Sequence, residues 1–249
     1  MRGLGKLFVL QLKLYLREPM AFFFTLAYPV LLLLLFGFIY GNEPAPQFWG
    51  RNFGTVDASV PAYTAIIIGT VAFMGIPIDT SVNRENGVLR RFRATPLRPL
   101  VYLGAGVAVY LLVALLGMAI LILTGKLVFG LRMAGSWLNV MAAILLSAMA
   151  FFSLGYFIAS LAPTARVAQT VGMVIFFPMM FLSGAGMPLQ LLPENLRKVS
   201  DYLPLTYVVQ LIQGLWFGEN WVDLWKPVLV LCGILLIGTL VSARFFRWE

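Results

Sequence analysis

Six apolar runs, near residues 21–40, 62–80, 100–124, 136–161, 166–183 and 227–243, divide this chain into pieces that match the thickness of a lipid bilayer. A helix needs about 20 such residues to cross the hydrocarbon core. Inside lipid the backbone N–H and C=O groups must be satisfied within a helix or a closed barrel, and these runs lack the two-residue alternation of barrel strands. The expected fold is an all-α integral membrane protein with six transmembrane helices, forming one transmembrane domain over residues 1–249. Composition agrees, with 61% hydrophobic and 11% charged residues and a mean hydropathy of +0.91, where soluble domains carry about 25% charged residues.

The net charge of +8 does not point to nucleic acid, because the basic residues sit at the ends of the apolar runs, where they act as topology signals. Alternate sides hold unequal shares. Arg2, Lys6, Lys13, Arg17, Arg84, Arg90, Arg91, Arg93, Arg98, Arg166, Arg244 and Arg247 fall on one side; Arg51, Lys126, Arg132, Arg197, Lys198 and Lys226 fall on the other. Twelve of the 18 lysines and arginines thus share a side, which predicts a multi-pass protein of the cell membrane with both termini cytoplasmic. The single cysteine, Cys232, precludes an intrachain disulfide, and the lack of histidine removes the commonest general base and transition-metal ligand.

Two segments do not fit simple spans and loops. In residues 1–18, Arg2, Lys6, Lys13 and Arg17 fall within an arc of about 60° at 100° per residue, away from Leu4, Leu7, Phe8, Leu14 and Tyr15. This predicts an amphipathic helix in the cytoplasmic interface, ended before Pro19. A cleaved signal peptide is the competing reading, disfavoured by the length of the apolar run that follows and by the lack of a small-x-small site soon after it. Residues 184–225 are too apolar for an ordinary loop, yet Pro188, Pro193 and Pro204 cut them into pieces too short to span. They read as an external re-entrant helical stretch, with a helix start at Pro193-Glu194, or as a cap packed on the bundle.

Catalysis finds no support. Ser183 has no histidine to activate it, no His-Glu-x-x-His is present, and Asp79 is the one acid inside an expected span. Asp79 lies near the cytoplasmic end of the second span, where a salt bridge to Arg84 or a helix boundary explains it; the alternative is a proton-coupling residue. Metal and cofactor sites are not expected in this chain.

The most polar stretch is a cytoplasmic island at residues 83–99, NRENGVLRRFRATPLRP. An Arg-Glu pair, a glycine, a short amphipathic turn and a proline stop make a helix able to dock in a partner's groove by charged contacts. RENGVLRRFRATPLRP is similar to the cytoplasmic coupling segment of permeases of the ABC type-2 exporter class, notably the drug-resistance and antibiotic-export branch, where an Arg-Glu pair, a Gly-x-Leu and an Ala-Thr-Pro-Leu recur in this order. The resemblance extends over nearly the whole chain, including Leu182-Ser183-Gly184, Leu203-Pro204 and Tyr207. Val88 stands where that family often has threonine.

The resemblance implies a half-transporter that dimerises with a second permease copy or homologue and pairs with a separate nucleotide-binding ATPase subunit, on which ATP and Mg are bound. No Gly-x-x-x-x-Gly-Lys-Ser/Thr occurs in the chain. It implies coupling through residues 81–99, carried by Arg84, Glu85, Gly87, Leu89, Arg90, Arg91 and Pro96. Aromatic and methionine side chains adapt to varied apolar ligands, so Phe23, Met74, Phe177 and Met180 are candidates for the substrate path of a drug, lipid or lipid-linked glycan. Gly104/Ala108, Gly155/Ala159 and Ala168/Gly172 allow close helix contacts within or between protomers. A proton-coupled secondary transporter and a non-transporting assembly protein remain the rival functions.

Overall fold

The structure, a computed structural model, describes residues 2–17, 19–45, 53–88 and 99–245. Among them the order is α1 (Arg2–Leu16), α2 (Phe23–Tyr40), α3 (Thr55–Glu85), α4 (Pro99–Phe129), α5 (Trp137–Leu161), α6 (Ala165–Leu182), α7 (Glu194–Ser200), α8 (Pro204–Trp216) and α9 (Trp225–Phe245). No strand occurs among the described residues, and α2, α3, α4, α5, α6 and α9 are long and apolar enough to cross a membrane. Large apolar side chains stand fully in the open, among them Phe38, Leu127, Leu138 and Leu240. Water would oppose such a surface and lipid accepts it.

The second spanning helix is the axis of the bundle. The most hydrophobic 18-residue window of α3 is 72% buried, against 22–56% for the other five. It packs against α2, α4, α5, α6 and α8. Its composition explains the position, since Ala58, Ala62, Ala65 and Ala72 give neighbours close access, while Thr64 and Thr70 donate to their own helix at Val60 O and Ile66 O, each at 2.9 Å. Gly155 of α5 and Gly172 of α6 abut the α3 carbonyls of Ala72 and Phe73, leaving no room for a Cβ. Two of the three small-residue pairs therefore serve packing within one protomer.

Helix α3 begins at Thr55, seven residues before the start expected from hydropathy, because Asp57 and Pro61 read as loop residues. Asp57 is fully buried and therefore a second acid within a membrane-length helix. Its carboxylate accepts from Gly54 N (2.9 Å), Asn42 Nδ2 (2.9 Å), Arg132 N (2.8 Å) and Arg132 Nε (3.0 Å), and pairs with the Arg132 guanidinium at 2.9 Å. The indole of Trp216 donates to Arg132 O at 3.2 Å, and Gln213 donates to Ala58 O at 2.9 Å. One acid thereby joins the ends of α2, α3, α4 and α8.

Residues 184–225 form a 3₁₀ turn (Leu189–Leu191), the exposed α7 and the buried α8, which packs on α3, α5 and α9. Helix α1 lies along α4, with Leu7 and Tyr15 buried and Lys13 exposed.

Candidate functional site

Helix α3 ends in the first half of the charged island. Asn86 N bonds Val82 O at 2.9 Å and Gly87 N bonds Arg84 O at 3.0 Å, with Gly87 at φ 68°. That left-handed conformation is open to glycine and strained for residues with a Cβ. The two charged side chains before it diverge. Arg84 donates to Ala159 O, in the last turn of α5, at 3.1 Å and to Ala162 O, the residue that caps it, while Glu85 Oε1 accepts from Ala165 N, the first residue of α6, at 2.8 Å. A helix C-terminus carries partial negative charge and an N-terminus partial positive charge, so each side chain meets the helix end it complements. Adjacent residues of α3 thus brace the α5–α6 connection.

This placement corrects one expectation. Arg84 reaches α5, and Asp79 instead accepts from Tyr110 Oη of α4 at 2.7 Å and Asn83 Nδ2 at 3.1 Å. Nor is Asp79 at a helix boundary, since α3 runs on to Glu85. Of the coupling residues, Arg84, Glu85 and Gly87 fall together on the brace; Leu89, Arg90, Arg91 and Pro96 lie outside the described residues.

Next to the brace is a cavity of about 210 Å³ between α1, α2, α3, α4 and α6. Its polar wall contains Asp79, Asn83, Tyr110, Gln11, Thr25 and Gln169; its apolar wall includes Phe24, Met74 and Met173. Tyr15 of α1 donates to Thr25 of α2 at 2.9 Å and meets Tyr110 edge-on with ring centroids 6.2 Å apart. Among the four substrate-path candidates, Met74 lines this cavity. Phe23 is exposed beside Phe24, Phe177 packs beside Phe176, and Met180 is buried in the core.

Two π-helical turns face the cavity, Phe23–Ala27 in α2 and Val71–Gly75 in α3. Pro29 and Pro77 explain them. Proline has no N–H for the carbonyl four residues back, Thr25 O or Phe73 O, and its ring crowds that carbonyl, so the preceding turn widens. Tyr28 N then reaches Phe23 O and Ile76 N reaches Val71 O, five residues back. The sequence reading passed over Pro29 and Pro77, whose signal was a proline inside an apolar run. It also missed Tyr110 and Gln11, which no local pattern distinguishes.

Six membrane-length helices, four of which line a partly polar cavity together with α1, and a charged turn tied to a neighbouring pair of helix ends, mark a multi-pass membrane protein. Residues 4–217 match the family model described as ABC-2 type transporter, and the chain belongs to that family. It is similar to the daunorubicin resistance ABC transporter permease protein DrrB1 of Streptomyces coeruleorubidus, 24% identical over 88% of this chain and 77% of that protein. It is 31% identical to nodulation protein J of Rhizobium leguminosarum bv. viciae over 45% of this chain; the match spans 44% of that relative's length. The putative transport permease YvfS of Bacillus subtilis is 22% identical over 99% of this chain and 98% of its own.

Proposed function

We propose that this chain is the permease half of an ATP-binding cassette exporter, moving a hydrophobic or amphipathic substrate out across the cell membrane. A separate nucleotide-binding subunit supplies ATP hydrolysis with its bound ATP and Mg, and a second permease copy or homologue completes the pathway. The observation that carries this reading is the Arg84-Glu85 brace within an ABC-2 family chain. A push on residues 81–99 from a docked ATPase is delivered at once to α3, α5 and α6, the central helix and two that pack against it. A relative named for daunorubicin resistance supports a drug among the possible cargoes.

Two experiments test it. The purified chain alone should show no ATP turnover, and a co-expressed nucleotide-binding ATPase subunit should purify with it and gain activity stimulated by lipophilic compounds; turnover by the isolated chain, or transport that persists after ATP depletion, overturns the reading. Orientation is tested by labelling. On a Cys232→Ser background, single cysteines at Asn86, on the brace side, and at Tyr202, 86% exposed on the Asp57 side, should react from the cytoplasmic and external faces respectively. Labelling of both from one face rejects this topology.

A further inference from the structure

The cavity between α1, α2, α3, α4 and α6 is lined with hydrogen-bond acceptors that its own donors do not use up. A carboxylate offers about four lone-pair sites. Asp79 receives two hydrogen bonds, both from uncharged donors, and none of its partners among the described residues is a cation. Gln11 Oε1 is buried at the same cavity with no hydrogen-bond partner. A carboxylate buried against neutral groups within a membrane-length helix is costly to keep ionised without a positive charge.

The rest of the wall narrows the kind of cation. No group of three His, Cys, Asp or Glu side chains that could hold a metal ion occurs among the described residues, whereas Tyr15, Phe24, Tyr110, Met74 and Met173 bring aromatic and thioether groups to the wall. Aromatic faces attract organic cations, and methionines adapt to alkyl chains. Depth agrees as well. Asp79 stands six residues before the end of α3, about 9 Å along a helix axis, and Met74 of the apolar wall stands more than a turn further from that end.

We propose that this cavity binds the protonated amine of a cationic amphiphile, with Asp79 as counter-ion, Gln11 Oε1 as a second acceptor and the π turns of α2 and α3 forming the apolar slot. As a substrate subsite it rests on the exporter reading; as a binding site it does not.

The test is direct binding to the full chain in lipid nanodiscs, with no ATPase present, so that its failure is separate from failure of the transport reading. The probe is dansylcadaverine, a fluorescent primary ammonium, beside its neutral N-acetyl derivative. Wild type should bind the ammonium at least about tenfold more tightly than the acetylated probe, and Asp79→Asn, which keeps an acceptor for Tyr110, should remove that preference. On wild-type protein alone, n-octylammonium should displace the probe where n-octanol does not. Equal affinity for the two probes, an unchanged preference in a folded Asp79→Asn, equal displacement by octanol, or displacement by sodium but not octylammonium would each overturn the proposal.

Discussion

Asp57→Ala should destabilise the folded bundle by about 3 kcal/mol, because buried donors that lose their acceptor cost about 1–3 kcal/mol each, while Arg132, 42% exposed, is free to recover solvation. The substitution deletes a wholly buried carboxylate that takes four hydrogen bonds and the Arg132 charge, and leaves the Asn42 amide, the Gly54 N–H and the Arg132 guanidinium seeking other partners. Because those groups sit at the ends of α2, α3 and α4, the loss spreads over three spans. Glu194→Ala is the matched control. Its pair with Lys198 is 3.3 Å long with both side chains more than two-thirds exposed, and such surface pairs contribute about 0–1 kcal/mol. Thermal unfolding in detergent should therefore show a large drop for Asp57→Ala and almost none for Glu194→Ala. A loss within about 1 kcal/mol for Asp57→Ala would show that the network is ornamental.

In the assembled transporter, breaking the brace should uncouple ATP hydrolysis from transport while leaving the spans intact. Glu85→Ala removes the acceptor for Ala165 N, an exposed contact whose loss should cost the fold little. Gly87→Pro is harsher, because proline holds φ near −65° and the turn requires +68°. With a co-expressed ATPase, we expect substrate-stimulated turnover to fall about tenfold for Glu85→Ala, equivalent to ~1.4 kcal/mol, and to vanish for Gly87→Pro. Insertion and unfolding temperature should stay near those of the parent. Glu43→Ala, at the opposite end of the bundle, should change neither quantity. Full coupling in both brace variants would reduce residues 83–88 to a topology signal.

The two arms of the brace also explain why the charged island was half legible. Its composition and order predict a contact surface and single out Arg84 and Glu85. What they touch could not be read. Their partners are backbone groups of Ala159, Ala162 and Ala165, about 75–80 residues away in the chain, and alanine carries no side-chain signal of such a role. Asp57 failed in the other direction: a charge beside Pro61 reads as loop until Arg132 and Asn42 arrive to neutralise it.

By itself the sequence determined the class of fold, because apolar runs of bilayer length leave helices as the economical way to satisfy the backbone in lipid. It likewise carried the family resemblance through the local order of residues 84–99, and the two breaks in helical geometry through Pro29 and Pro77. Only the tertiary structure decided that α3 is the axis, that Gly155 and Gly172 pack inside one protomer, and that Asp79, Gln11 and Tyr110 share a cavity. The physical reason is the lipid itself. With apolar surface on every side, hydrophobicity no longer distinguishes inside from outside, and helix order is chosen by close packing and by polar pairs whose members lie far apart in the chain.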